Sequence, residues 1–197
     1  MNKKLTLPQT IIITLFCIMM ILAIFNMPQL GIFSIGVSAL FVVIATLSDS
    51  KGIFISIAMV ILGLVLFIKP IYIFDICLNF IIPGIIIGMI TKNVLNHRED
   101  NKYNPIFMGT IAFIIGLIAN YLISKYLFNI NILEEFTSVM KTQLSTQISA
   151  IQESVSSLAS VSNITEESII QTVLNIMPLI LFSRSIMLSI LTYFLAI

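Results

Sequence analysis

The chain has 197 residues, of which 58% are hydrophobic and only 10% charged, and its mean hydropathy is +1.10. An ordinary soluble domain is about 25% charged, so a soluble globule of this size could not hide so much apolar surface, and the composition is that of an integral membrane protein. The formal net charge of +1, ten Lys and Arg against nine Asp and Glu, provides no basic surface for nucleic acid.

From Leu5 to Ser48 the sequence carries no Asp, Glu, Lys or Arg, about twice the length needed to cross the hydrocarbon core. The turn residues of Asn26-Met27-Pro28-Gln29-Leu30-Gly31 divide it. A hairpin follows, with spans at 10–26 and 31–47. Lys3 and Lys4 before the first span suggest a signal peptide, but there is no small-residue cleavage site and a second span follows at once, so an uncleaved anchor is expected. Asp49-Ser50-Lys51-Gly52 makes the next turn. A third span is expected over 53–72, a fourth over 74–91, and a fifth over 105–127 that opens on Pro105. The sixth covers 173–196. The expected fold class is therefore all-α, a single polytopic bundle of about six transmembrane helices.

Lys and Arg favour cytoplasmic loops. With the N-terminus inside, Lys3, Lys4, Lys51, Lys92, Arg98 and Lys102 are cytoplasmic, while Lys69, Lys125 and Lys141 are outside. In the same frame Tyr72, Tyr121 and Tyr126 fall at the outer interface, and Tyr103 and Tyr193 near the inner one, as an aromatic belt requires. The expected location is thus the cell membrane, multi-pass, with a cytoplasmic N-terminus and lipid as the main contact.

Residues 129–172 differ from the rest and read as an extracytoplasmic helical insert. Leu133, Phe136, Met140, Leu144, Ile148, Ile151, Val155 and Leu158 step by three or four and form one helical stripe, with Ser, Thr, Gln and Glu on the other faces. Ser162-Asn163 breaks the pattern, and Asn163 with Glu166 could cap a new helix. The polar face holds Lys141 against Glu134, Glu135, Glu153, Glu166 and Glu167, the wrong sign for a helix lying on anionic lipid. A hairpin packed on the protein's own outer loops, a lid, or a docking helix remain open. Asn163-Ile164-Thr165 matches a glycosylation sequon.

Catalytic and metal signatures are missing. No zinc-binding His-Glu-x-x-His, Gly-x-Ser-x-Gly elbow or phosphate-binding Gly-x-x-x-x-Gly-Lys occurs. His97 is the lone histidine, in a charged loop. Cys17 and Cys77 lie in apolar runs, as buried thiols do. Asp49 and Asp75, the acids nearest to span depth, belong near opposite faces and do not suit an aspartyl protease. No catalytic residue, metal or cofactor is expected.

Two sets of residues are candidates for a role. Gly84 and Gly88 form a Gly-x-x-x-Gly in the fourth span, Gly109 and Gly116 line the fifth together with Ala112 and Ala119, and Ser34 pairs with Ser38 in the second. Such small residues let helices pack closely, within the chain or against a partner subunit. The second set centres on Arg184, the only charge near the middle of a span. An Arg at that depth costs at least about 2.5–3.5 kcal/mol and faces the bundle interior with partners. At 1.5 Å per residue, Asn79 and Asn120 fall at comparable depth, and Asp75 lies nearer the surface as counter-ion. These four form a candidate polar cluster, either helix glue or the anion-recognising floor of an outer cavity for a small-molecule ligand.

Pro83-Gly84-x-x-x-Gly88 followed by Lys92, the glycine-bearing span after the charged loop, the polar insert, and Met177-Pro178-Leu179 opening a span that ends Tyr193-Phe194-Leu195-Ala196 together carry a resemblance. In this order nearly the whole chain resembles the YybS-like predicted membrane proteins of Gram-positive bacteria. Those are grouped at fold level with the S components of energy-coupling-factor vitamin transporters and with the rod-shape protein MreD. The resemblance implies a non-enzymatic protein that binds a small ligand or a transporter partner; alternatively a cell-envelope scaffold without ligand. Members of that family usually continue with further spans beyond the point matching Ile197, so a truncated, non-functional member is a second alternative. S components typically carry Ala-x-x-x-Ala in the first span for docking the coupling subunit, whereas Ile11 to Phe25 has only Ala23.

Overall fold

The computed structural model describes residues 4–96, 101–154 and 166–197. Lys3, His97, Arg98, the Val155 and Leu158 end of the insert stripe, the Ser162-Asn163 break, the Asn163 cap and the Asn163-Ile164-Thr165 sequon lie outside the described residues. Among these residues eight α-helices run in chain order: α1 Leu7–Asn26, α2 Ser34–Leu47, α3 Ser50–Val65, α4 Pro70–Ile76, α5 Ile82–Asn96, α6 Asn104–Tyr126, α7 Ile132–Ser154 and α8 Glu166–Ala196. A 3-10 turn, Pro28–Phe33, leads into α2, and a π-helical turn, Cys77–Ile81, joins α4 to α5. No strand forms among the described residues.

Among the described residues five segments are long and apolar enough to cross a membrane: Leu7–Asn26, Gln29–Leu47, Pro70–Asn96, Asn104–Tyr126 and Glu167–Ala196. Many of their large apolar side chains, among them Phe16, Met19, Phe107, Ile115 and Phe194, face outward, as lipid contact requires. The third expected span, 53–72, is shorter than its apolar run. Helix α3 has 16 residues, about 24 Å at 1.5 Å each, against a core about 30 Å thick. Pro70 sets its limit, because proline has no N–H to give the preceding turn and pushes the residue before it to extended backbone. Lys69 has φ −63° and ψ 144°. The last helix departs in the other direction: it opens at Glu166 rather than about residue 173 and passes through Pro178 without a break.

The described chain falls into two compact units, one reaching to Asn120 and including Ser183–Ile197, the other Tyr121–Phe182. In the first, α1 and α3 run parallel. Thr10 meets Ser48 at 3.1 Å, the Thr14 hydroxyl donates to Ser56 at 2.9 Å, and Ile18 lies under Gly63. These buried hydroxyls satisfy one another where no water reaches them. Helices α2 and α5 are also parallel and pack closely. A Cβ placed at Gly84 would stand 2.5 Å from the Ser38 carbonyl oxygen, and one at Gly88 would stand 2.6 Å from both Ala45 Cβ and the Val42 carbonyl oxygen. Only glycine admits this approach. The Gly-x-x-x-Gly face is therefore occupied by the chain's own α2.

Helix α6 runs antiparallel to α5. A Cβ at Gly109 would meet Ile87 at 2.6 Å and collide with Ser189 Oγ, while one at Gly116 would collide with the Leu78 carbonyl oxygen. Ser189 donates to the Ile106 carbonyl at 2.7 Å, tying the end of α8 to the start of α6. The core of this unit centres on Cys17, Ile21, Val37, Phe41, Ile44, Val60, Leu64 and Ile81.

In the second unit, Asn129 adopts the left-handed conformation, φ 54°, which Asn tolerates better than most residues. The Ile130 N–H returns to the Ser124 carbonyl at 2.9 Å, so the chain turns out of α6 before α7 begins. Within α7, Phe136 and Met140 are half-buried and Leu133 is exposed.

Candidate functional site

The site belongs to the first unit and starts from the π turn. An i→i+5 turn inserts one residue into a helix and re-aims the side chains around it, and such turns concentrate at functional sites. Here it is held by the Ile82 N–H donating to the Cys77 carbonyl. Asp75 precedes it and Asn79 lies within it. The Asn79 Nδ2 donates to Asp75 Oδ1 at 2.6 Å. Gly116 sits against Leu78 of the same turn, and this contact brings Asn120, one helical turn on, to the carboxylate. The Asn120 Nδ2 donates to the same Asp75 Oδ1 at 2.7 Å.

One carboxylate oxygen thus accepts from two amides on two helices. Hydrogen bonds to an ionised acceptor are the stronger kind, and the pair fixes the Asp75 rotamer. Asn79 is buried, 6% exposed, and its own Oδ1 has no hydrogen-bond partner.

Of the four residues expected as a polar cluster, three form this network. Arg184 stands apart from it. Its guanidinium forms no hydrogen bond or ion pair with Asp75, Asn79 or Asn120, and it is exposed. Both Arg184 and Asp75 nevertheless line one cavity of about 490 Å³. That lies within the range of small-molecule sites. The walls are mostly apolar: Ile21, Ile24 and Phe25 from α1, Val37 from α2, Ile76 and Phe80. Ser34 and Tyr72 add hydroxyls, and Gly31 completes the lining. Phe25 and Tyr72 stack edge to face, ring centroids 5.4 Å apart at 61°, and close one side.

Sequence reasoning did not single out Tyr72, Ser34 or Gly31 for this site. Tyr72 had a signal, since it stands three residues before Asp75 on one helix face; the other two come from the connection into α2, whose path no local pattern announces. Gly84, Gly88, Gly109 and Gly116 all lie at close helix contacts away from the cavity lining. Among the described residues no group of three or more His, Cys, Asp or Glu is placed to hold a metal ion.

A second, shallower hollow of about 330 Å³ lies in the other unit, lined by Leu133, Glu134, Thr137, Ser138, Lys141 and Leu174.

No curated protein and no solved structure shows significant similarity to the chain. The family comparison does match, over residues 14–197, and with its apolar helices this chain belongs to the predicted membrane protein family DUF2232.

Proposed function

We propose that this protein is a non-enzymatic, S-component-like binding protein that holds a small molecule in the cavity beside Asp75, within the membrane. The observation that carries the reading is the joint lining of one apolar cavity by a carboxylate that two asparagines hold in place and by a guanidinium that, among the described residues, forms no ion pair with it. Ionisable groups at membrane depth are costly and mark binding or transport pathways by default. The N-terminus is cytoplasmic in this reading. Lys92 donates to the Ser48 carbonyl at 2.6 Å, the Leu5 N–H donates to Leu47, and Tyr193 donates to the Lys102 carbonyl. Lys4, Lys51, Lys92 and Lys102 therefore gather at one end of the unit, and the positive end faces inward. A membrane-embedded transporter subunit is the partner the reading implies.

The test exploits Gly31, which lines the cavity and has nothing within 4 Å of an added Cβ. The parent, purified in mild detergent, retains a molecule detectable by native mass spectrometry. Gly31→Leu fills the space and loses it while still folding, its melting temperature no lower than that of the parent stripped of the molecule. If Gly31→Leu retains the molecule equally, or the parent retains nothing and no added small molecule raises its melting temperature, ligand binding in this cavity is refuted. Co-purifying cell-wall machinery would then favour a scaffold in the manner of MreD.

A further inference from the structure

The charges on the cavity wall sum to zero, yet they do not neutralise each other by contact: Asp75 and Arg184 both line the space without forming an ion pair within 4.0 Å. Asp75 Oδ1 already accepts two amide hydrogen bonds, so Oδ2 is the oxygen left for an incoming donor. Each class of ligand can be weighed on this arrangement. A simple anion pairs with Arg184 but meets the Asp75 carboxylate across apolar walls. A simple cation has the reverse problem with Arg184. A neutral apolar molecule displaces water from both charges and pairs with neither, which is costly. Only a molecule carrying both signs satisfies both groups, and its remaining body has Ile21, Ile24, Phe25 and Phe80 to pack against.

We infer that the ligand is an amphiphilic zwitterion, its ammonium group on Asp75 and its carboxylate or phosphate on Arg184; this rests on the ligand-binding reading above. The arginine fork suits either oxyanion by paired N–H donation. The same chemistry is offered by a free amino-acid-like molecule and by the ethanolamine head group of a phospholipid.

The experiment uses the full chain in nanodiscs of phosphatidylglycerol, with thermal melting as readout. The probes are L-phenylalanine, its ammonium-free analogue 3-phenylpropionate and its carboxylate-free analogue phenethylamine. A parallel set of nanodiscs contains phosphatidylethanolamine and no added probe. Phenylalanine is expected to raise the melting temperature, with half-effect at a concentration about tenfold or more below either analogue. A rise with phosphatidylethanolamine instead assigns the lipid source and equally supports the inference. Asp75→Asn should level phenylalanine with 3-phenylpropionate, and Arg184→Gln should level it with phenethylamine. The analogue series on the parent decides the matter even where a variant does not fold. If an analogue matches phenylalanine, the zwitterion is overturned and ligand binding stands. If no probe acts, the molecule retained in mild purification decides: a zwitterion of another skeleton supports the inference, and a neutral or singly charged molecule overturns it alone. With no effect and nothing retained, both readings fall together.

Discussion

Replacing Gly88 by alanine tests the close contact between α2 and α5. The new Cβ would stand 2.6 Å from Ala45 Cβ and 2.6 Å from the Val42 carbonyl oxygen, where ordinary contact begins at 3.4 Å. Helices α2 and α5 must therefore separate by roughly 0.8 Å along that direction, and a gap of that size forfeits a quarter to a half of each dispersion contact it opens. Overpacking of this kind costs about 1–3 kcal/mol, against a helix-propensity gain of up to about 1 kcal/mol for Gly→Ala. The net loss is about 1–2 kcal/mol, a fall of roughly 2–8 °C in melting temperature on the scale of soluble domains of this length. Cys17 is fully buried and unpaired, so a thiol-reactive fluorophore reports the melt directly in detergent. Gly36→Ala is the control, because its Cβ meets only the flexible end of Met20, at 3.1 Å, and it should leave the melt unchanged or slightly raised. Adding Ala45→Gly to Gly88→Ala should recover less than half of the loss, since the Val42 carbonyl is backbone and stays in place. A Gly88→Ala protein that melts at or above the parent would refute the reasoning, and so would complete rescue by Ala45→Gly.

Gly116→Ala drives a Cβ onto the Leu78 carbonyl of the π turn, and we expect a destabilisation of about 1–3 kcal/mol together with loss of the retained molecule, read by melting and native mass spectrometry; an unchanged melt would separate α6 from the π turn. For orientation, single cysteines at Gln29 and Asn101 in a background lacking Cys17 and Cys77 are probed in intact cells with a membrane-impermeant thiol reagent. Labelling at 29 and protection at 101 is the expected result, and the reverse would invert the topology.

The membrane character of this protein follows from composition alone, because an uncharged run from Leu5 to Ser48 has no stable place in water. Helix positions follow nearly as directly, since in lipid each backbone N–H and C=O must be satisfied within its own segment. Exact ends were less legible: the 53–72 run looks continuous in hydropathy, and the backbone demand of Pro70 divides it. The i, i+4 spacing of Asp75 and Asn79 puts them on one face in any helix. Nothing local brings Asn120 to them from 45 positions away. That contact depends on α6 seating Gly116 against a π turn, a helical defect with no signature in hydropathy, because the residues Cys77–Ile81 that form it are as apolar as their neighbours apart from Asn79. The cavity is likewise a tertiary product. Ile21, Ser34, Tyr72 and Arg184 each satisfy an ordinary helical pattern, and they line one space only because the path from α1 through the 3-10 turn into α2 leaves room beside α4. Helices are local, set by hydrogen bonds within a few residues, whereas a site between helices depends on which of several apolar faces pack, and side chains alike in hydropathy leave that choice to shape.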